Sequence, residues 1–226
     1  SVSRLTYEID KDYSKTTPGI MSGRRYENYT KRDMEVIEEA WRKYSEYAGR
    51  IYIHPGVGDM SPSFMRTTVE DHIKLSDCKH PLVIIDYLQI TSSEEDRLTD
   101  KQRIDRAVVD IKRMSRDLHL PVLVVSSFNR SGYNEAVAME SMKETGAIEY
   151  SCDVLMGLGL TAIEGVEEDG EGKRKKAIAE AKRKAKEERE KTGDLKLSLV
   201  VLKNRNGKTG EVPLIFHTPN NHFRPL

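Results

Sequence analysis

The densest run of chemistry-bearing residues is Lys203-Asn204-Arg205-Asn206-Gly207-Lys208-Thr209-Gly210, which sets two cations beside a Gly-Lys-Thr triplet. Gly-Lys-Thr ends a phosphate-binding loop, G-x-x-x-x-G-K-[ST], whose backbone N–H groups curl around phosphates at a helix N-terminus. The spacing fails here, because the first glycine would fall on Leu202. The following Glu211-Val212-Pro213-Leu214-Ile215-Phe216 reads as a strand, and Pro213 forbids a helix interior. The run is a hairpin with Asn206-Gly207 as its turn, and that leaves Lys203 and Arg205 to be explained.

Asp86 closes the apolar run Pro81-Leu82-Val83-Ile84-Ile85. A carboxylate ending a buried strand carries a large desolvation cost unless a cation or hydrogen bonds compensate. In nucleotide-hydrolysing α/β domains this is the Walker B place, where Asp holds Mg²⁺ directly or through water. From position alone, a structural or helix-capping Asp is the alternative. A second apolar run, Pro121 to Val125, ends in Ser126-Ser127-Phe128-Asn129-Arg130, so polar groups line the same carboxyl edge, where open α/β sheets bind ligands. Gly157-Leu158-Gly159-Leu160-Thr161-Ala162 fits the dinucleotide fingerprint G-x-G-x-x-A. That fingerprint must open a helix, whereas Val154 to Ile163 reads through as one strand, so these glycines are packing residues. The six histidines show no H-x-x-x-H spacing, and no zinc site is expected.

The elements that must hold these residues follow from periodicity. Pro81–Ile85 and Pro121–Val125 are continuous apolar runs, the pattern of parallel strands buried on both faces. Between them Thr99-Asp100-Lys101-Gln102 is a capping box, and Ile104, Val108, Ile111, Met114 and Leu118 form the stripe of a helix, giving a βαβ unit. Upstream, Ser3 to Lys31 is polar and broken by Pro18, Gly19 and Gly23. Thr30 to Asp33 then caps a helix whose stripe is Met34, Ile37, Trp41, Tyr44 and Ala48. Arg50 to Ile53 reads as a short strand, and Ser61-Pro62 opens a helix carrying Met65, Val69 and Ile73. Near the end, Leu195 to Leu202 is a strand leading into the hairpin.

A charged insertion at 164–194 interrupts this plan: an acidic stretch around Glu167-Glu168-Asp169, then a Lys/Arg/Glu/Ala-rich helix from Lys173 to Lys191 with Ile178 as its one large apolar residue. It is an exposed arm, either laced by i,i+4 pairs or gripping nucleic acid. The formal charge of the whole chain is zero, so any nucleic-acid contact must be a local patch. At 226 residues this is one domain with an insertion. Cys78 and Cys152 match no metal or redox spacing, and no membrane-length apolar run or signal peptide is visible, so a cytoplasmic location is expected.

Four motifs in order carry a resemblance to a known family. Val83-Ile84-Ile85-Asp86-Tyr87-Leu88-Gln89-Ile90 closely resembles the Walker B motif of DnaB-type replicative helicases. Ser126-Ser127-Phe128-Asn129-Arg130 is similar to that family's S-Q-L-N-R. Glu144-Thr145-Gly146-Ala147-Ile148-Glu149 with Asp153 looks like its E-S-G-x-I-E-x-x-A-D, and Lys203 to Gly210 resembles its K-x-R-N-G-x-T-G. The similarity runs from about Ser3 to Phe223. It implies an α/β fold: a RecA-like P-loop NTPase core over 1–226, mostly parallel, flanked by helices, with antiparallel strands at the C-terminus and without the P-loop strand and helix. The implied function is the motor domain of a hexameric, ATP-dependent replicative DNA helicase moving on single-stranded DNA. A phage or mobile element is the expected source, and a helicase loader and a primase are the further partners implied.

By this likeness Asp86 binds the Mg²⁺ of ATP, Ser127 stands where the family has a γ-phosphate-sensing Gln, Arg205 is an arginine finger delivered in trans, and Lys203 is its companion. A delivered guanidinium can contribute roughly 10³–10⁵ in rate to phosphoryl transfer. Lys143, Glu144 and Gly146 match the loop that meets the DNA backbone, with Lys143 replacing the family's Arg and still serving as a point charge. The P-loop and the catalytic Glu lie, in the family, N-terminal to the position of Ser1. Without a cradle for the phosphates this chain alone is expected to be inactive, and the absent strand should leave unpaired backbone groups. The alternative is a non-catalytic RecA-like regulatory or binding module that has lost its P-loop; a RecA-like recombinase or clock-type ATPase fits the Asp-Tyr-Leu-Gln and Asn-Arg signatures less well.

Overall fold

A computed structural model describes residues 1–58, 60–91, 98–129, 132, 135–141, 145–164, 166 and 170–226. The order is α1 (Val2–Ile9), α2 (Thr17–Met21), α3 (Gly23–Tyr26), α4 (Lys31–Ala48), α5 (Pro62–Leu75), β1 (Val83–Ile85), α6 (Asp100–Asp117), β2 (Val122–Val124), α7 (Thr145–Ser151), β3 (Val154–Leu160), α8 (Glu171–Thr192), β4 (Asp194–Asn204), β5 (Gly210–His217) and β6 (His222–Pro225). β1 pairs with β2 in one sheet, and β3-β4-β5-β6 form a second in that order. The chain divides into two compact units.

One unit comprises Ser1–His54, Leu158–Leu199 and Val212–Leu226. The stretch read as polar and broken is helical in α1, α2 and α3. The signal lay in Val2, Leu5 and Ile9, spaced to share one helix face; Val2 and Leu5 pack with Ala40 of α4. The capping box of α4 forms as expected, with the Asp33 N–H donating to Thr30 Oγ1 and the Thr30 N–H to Asp33 Oδ2. Its buried face is displaced from the expected stripe. Val36, Ile37 and Ala40 are buried, while Trp41 is 46% exposed. Small Ala40 at the α1 crossing lets the helices approach closely, and the bulky Trp41 is left to one side.

Arg50 to Ile53 joins neither sheet, and Ile53 is 85% exposed. A strand without a ladder partner has no means of satisfying its backbone groups in register, so the apolar run alone did not make one. At the other end of the unit, buried Asn220 donates to the Ser3 and Lys15 carbonyls at 3.2 and 2.9 Å, tying the β5–β6 turn to the N-terminal helices. Gly193 ends α8 at φ 77°, and a Cβ there would lie 2.9 Å from His217, so only glycine fits. α8 buries Ile178 and is laced by pairs such as Lys175–Glu171 at 2.5 Å and Arg183 with Glu180 and Glu187. Lys196 of β4 reaches Glu188 at 2.9 Å. The acidic stretch Glu167-Glu168-Asp169 lies outside the described residues.

The other unit comprises Pro55–Gly157 and Val200–Glu211. β1 and β2 run parallel in the register Val83↔Val122, Ile84↔Leu123 and Ile85↔Val124, joined through α6. The Thr99–Gln102 capping box and the α6 stripe are as expected: Ile104, Ile111 and Met114 are buried with Met65, Ile85, Leu88 and Ile148, and Val108 and Leu118 pack against them. The strands differ from expectation in being covered on one face. Val83, Ile85, Val122 and Val124 face this core, whereas Ile84 is 58% and Leu123 43% exposed, next to exposed Leu82 and Val125. Side chains alternate across a strand, so one apolar face is packed and the other presented to solvent. β3 stops at Leu160 before a turn, short of the expected Ile163, and Gly157 and Gly159 lie within the strand.

Asp33 supplies a pH prediction. Its carboxyl is held below the ordinary range, first by Lys15, whose Nζ lies 2.5 Å from Oδ1, and then by Thr30. A depressed folded-state pKa stabilises the protein above the unfolded value of about 3.9, and that contribution is lost as pH falls through the folded value. Asp33→Ala is expected to cost roughly 1–3 kcal/mol at neutral pH, from the cap and its charged hydrogen bonds. The variant and parent curves should begin to converge as pH falls below about 4 and draw together as it passes the lowered folded-state value. Denaturant unfolding at stepped pH checks this; a gap that persists at acid pH contradicts it.

Candidate nucleotide and nucleic-acid site

The candidate residues fall into two clusters within one of the compact units. The first stands at the carboxyl ends of β1 and β2. Asp86 directly follows β1 and is exposed, and the Asp86–Tyr87 peptide is cis. The Leu88 N–H donates to the Val125 carbonyl at 2.8 Å, and the Val125 N–H to the Ile85 carbonyl at 2.9 Å, extending the β1–β2 pairing beyond the strands. Gln89 then joins the two loops. Its Nε2 donates to Ser126 Oγ at 2.9 Å, and its Oε1 accepts the Ser127 N–H at 3.4 Å. Gln89, a residue of the Walker B-like motif whose bridging work nothing in the sequence assigns, thus ties the loop that begins at Asp86 to half-buried Ser127 on the same edge.

Asn129 carries the second loop onward. Its N–H donates to the Ser141 carbonyl at 2.9 Å, its Nδ2 to the Glu140 carbonyl at 2.6 Å, and its Oδ1 accepts the Gly132 N–H at 2.6 Å. A Cβ on Gly132 would meet the Ser141 carbonyl at 2.7 Å, so glycine is required for this close approach. The strand-end loop is therefore stitched to the segment that leads into α7. Lys143, Glu144 and Arg130 lie outside the described residues. Gly146 is exposed in the first turn of α7, and a Cβ there would meet nothing within 4 Å, so its backbone faces open space.

The second cluster is the β4–β5 turn packed on the far end of α7. Arg205, Asn206 and Gly207 make the turn, which Asn204 Nδ2 closes on the Lys208 carbonyl at 3.3 Å. At Gly207 a Cβ would come within 2.5 Å of Asn204 Nδ2, so a larger residue would displace that amide from its bond to the Lys208 carbonyl. Lys203 Nζ donates to the Glu149 carbonyl at 2.5 Å, a cation on the C-terminal turn of α7, where the helix dipole favours it. The Arg205 N–H donates to the Asp153 carbonyl and its Nη1 lies 2.9 Å from Asp153 Oδ1, while the side chain stays 54% exposed. Lys112 of α6 takes the other carboxylate oxygen at 2.5 Å. Asp153 is held below the ordinary carboxylate range, mainly by Lys112, with Arg205 and Lys203 adding to it.

Arg205 thus pairs with Asp153 and not with Asp86. Among the described residues no group of three His, Cys, Asp or Glu side chains could enclose a metal ion. A Mg²⁺ ion is commonly held by one or two carboxylates together with substrate phosphates, and the exposed Asp86 carboxylate fits that partial role. The pattern G-x-x-x-x-G-K-[ST] does not occur in these 226 residues. Cys78 and Cys152 are free thiols, and no described helix is long and apolar enough to cross a membrane.

Comparison with known proteins bears on the family and the fold. The model of the DnaB-like helicase C-terminal domain family matches residues 20–225. The replicative DNA helicase DnaB of Mycoplasma genitalium is 22% identical over 205 residues, covering 87% of this chain and 39% of the helicase. The chain therefore spans about two-fifths of the length of that curated relative. Two solved structures share the fold at 19% identity over the whole chain. One is a DnaB-like replicative helicase described with its interactions with primase, at TM-score 0.71 and 47% of that chain; the other is an ATPase domain, at 0.72 and 69%. The fold is thus α/β of the RecA-like ATPase kind, and the chain belongs to the DnaB-like helicase C-terminal domain family.

Proposed function

We propose that this chain contributes to a ring of motor domains that hydrolyses ATP to move along single-stranded DNA. Arg205 and Lys203 complete a nucleotide site whose phosphate cradle belongs to an adjacent copy. The observation that supports this reading is an exposed guanidinium at the tip of a hairpin held against Asp153, while Lys203 of the same hairpin holds the last turn of α7, the helix whose first turn contains Gly146. On this reading Asp86 holds Mg²⁺ and Ser127 faces the γ-phosphate from the same edge. Lys143 and the Gly146 N–H contact the DNA backbone, and Glu144 shares their loop. Backbone contacts of this kind carry no sequence preference, as a translocating motor requires. A cation meeting the equatorial oxygens late supplies charge where charge develops.

The solvent-facing side of the β1–β2 pair fits the same proposal. Parallel sheets are normally covered on both faces, and Leu82, Ile84, Leu123 and Val125 form an apolar surface that the P-loop portion of a RecA-like core would cover. Primase contact, which one of the structural neighbours is described with, and a homo-hexameric assembly extend to this chain as proposals of the same rank. So does the 164–194 segment as an insertion within the domain. The competing reading, a non-catalytic RecA-like module, draws on the lack of any G-x-x-x-x-G-K-[ST] within these 226 residues.

Two measurements test the motor reading in the protein as it is encoded. Arg205→Ala should lower ATP turnover of the assembled ring by roughly 10³-fold or more while leaving ATP binding intact. Doping the variant into parental rings should inactivate neighbouring sites, so activity falls faster than its share of subunits. Parental turnover in the all-variant ring contradicts the trans role, and a parental protein that assembles yet never hydrolyses ATP favours the non-catalytic module. Separately, Lys143→Ala should weaken single-stranded DNA binding and reduce the slope of log affinity against log salt by about 0.7; an unaltered slope removes Lys143 from the DNA path.

A further inference from the structure

Asp153 lies in the two-residue connection between α7 and β3, and three contacts converge on it. The Arg205 N–H meets its carbonyl, Arg205 Nη1 meets Oδ1, and Lys112 Nζ meets Oδ2. The backbone bond settles where the tip of the hairpin sits. The carboxylate settles which way the guanidinium turns. A guanidinium has five N–H donors in a planar fork, and the Asp153 contact engages one nitrogen, so the rest of the fork can be presented elsewhere. Lys112 grips the same carboxylate from α6, so that Arg205 is aimed against a braced group and not a swinging one.

An ion pair between groups this exposed adds little to fold stability, with Asp153 at 49% and Arg205 at 54% of side-chain exposure. Its consequence is orientation. An unbraced arginine samples many rotamers, and each productive encounter would have to select one of them. Hydrogen-bonded Lys112 and the nearby cations keep Asp153 charged, so the aim is maintained through the neutral pH range.

We propose that Asp153 is the positioning residue of the Lys203/Arg205 pair: it holds the Arg205 guanidinium ready at the hairpin tip, so that the finger reaches a neighbour's phosphates already oriented. This rests on the trans-finger reading above. Asp153 touches no nucleotide itself, so it acts through Arg205 on the rate of the chemical step and not on the affinity for ATP.

The test compares ATP turnover of the encoded protein in its parental, Arg205→Ala, Asp153→Ala, Asp153→Asn and Asp153→Glu forms. Circular dichroism and sedimentation verify fold and assembly. Asp153→Asn keeps the shape and removes the charge, so it decides the matter if the alanine variant fails to fold. Expected is a roughly 10- to 100-fold loss of kcat in the Ala and Asn variants, the scale associated with misplacing a catalytic group. KM for ATP should stay near parental, and Glu should restore part of the rate. Parental kcat in Asp153→Asn alongside a silent Arg205→Ala overturns the positioning role and leaves the finger standing. A KM rise with loss of assembly, without a kcat loss in intact rings, marks Asp153 as merely structural and also overturns it. Parental turnover in Arg205→Ala, or none in the parent, overturns the finger reading and this proposal with it.

Discussion

The bond from the Arg205 N–H to the Asp153 carbonyl is the constraint on which the candidate site depends. It joins a hairpin tip to the end of a seven-residue helix more than fifty positions earlier in the chain, and it turns a surface cation into a group with a defined place. Without it Arg205 would be a solvated side chain on a β-turn, in the same composition and the same sequence. Lys203 repeats the arrangement by capping the C-terminal turn of α7. On the proposed reading α7 thus carries Gly146, a candidate DNA contact, in its first turn and the Lys203 contact, Glu149, in its last.

The strand-end cluster has a complementary logic. Gln89 spans from the loop after β1 to the loop after β2, and Asn129 spans from there to the segment preceding α7. Each bridge uses a side-chain amide, which offers donors and an acceptor at once and so can hold two backbone or hydroxyl partners in register. Gln89 thus bonds to Ser126 and Ser127, and Asn129, two residues further on, bonds to Glu140 and Ser141. The segment between Ser141 and α7 carries Lys143 and Glu144. On the proposed reading, the loops after β1 and β2 and the segment ending at Ser141 are tied by short local bonds.

What could be read from the residues alone divides along the range of the interactions. α6 was legible because its cap and its stripe are both local: Thr99 with Gln102, then Ile104, Ile111 and Met114 at helical spacing. The β1–β2 pair was legible as apolar runs, but not its one-sided cover, because that depends on what packs against Ile84 and Leu123. Arg50–Ile53 misled because strand propensity counts only where a ladder partner exists. The first helices were missed because Pro18 and the glycines outweighed the spacing of Val2, Leu5 and Ile9. At the site, motif likeness pointed to Asp86, Ser127, Lys203 and Arg205, whereas the work of Gln89, Asn129, Lys112 and Asp153 arises from contacts between residues distant in sequence.

Charge bears on how such a chain could meet DNA at all. Helix α8 carries ten Lys and Arg against five Glu, yet the whole chain is neutral, so the remainder holds a matching negative excess. Much of the arm's charge is taken up internally, as in Arg183 between Glu180 and Glu187. Opposed regions of this kind largely cancel beyond a Debye length of about 8 Å at physiological salt, and long-range attraction to a polyanion is weak. Affinity for nucleic acid would then have to come from short-range contacts in a confined place. On the proposed reading a ring would supply such confinement, because several copies of one cationic segment would face the same strand and their contacts would act together. On the same reading, a neutral chain with a few placed cations suits holding DNA by enclosure and releasing each phosphate readily, whereas a strongly basic surface would bind tightly and move slowly.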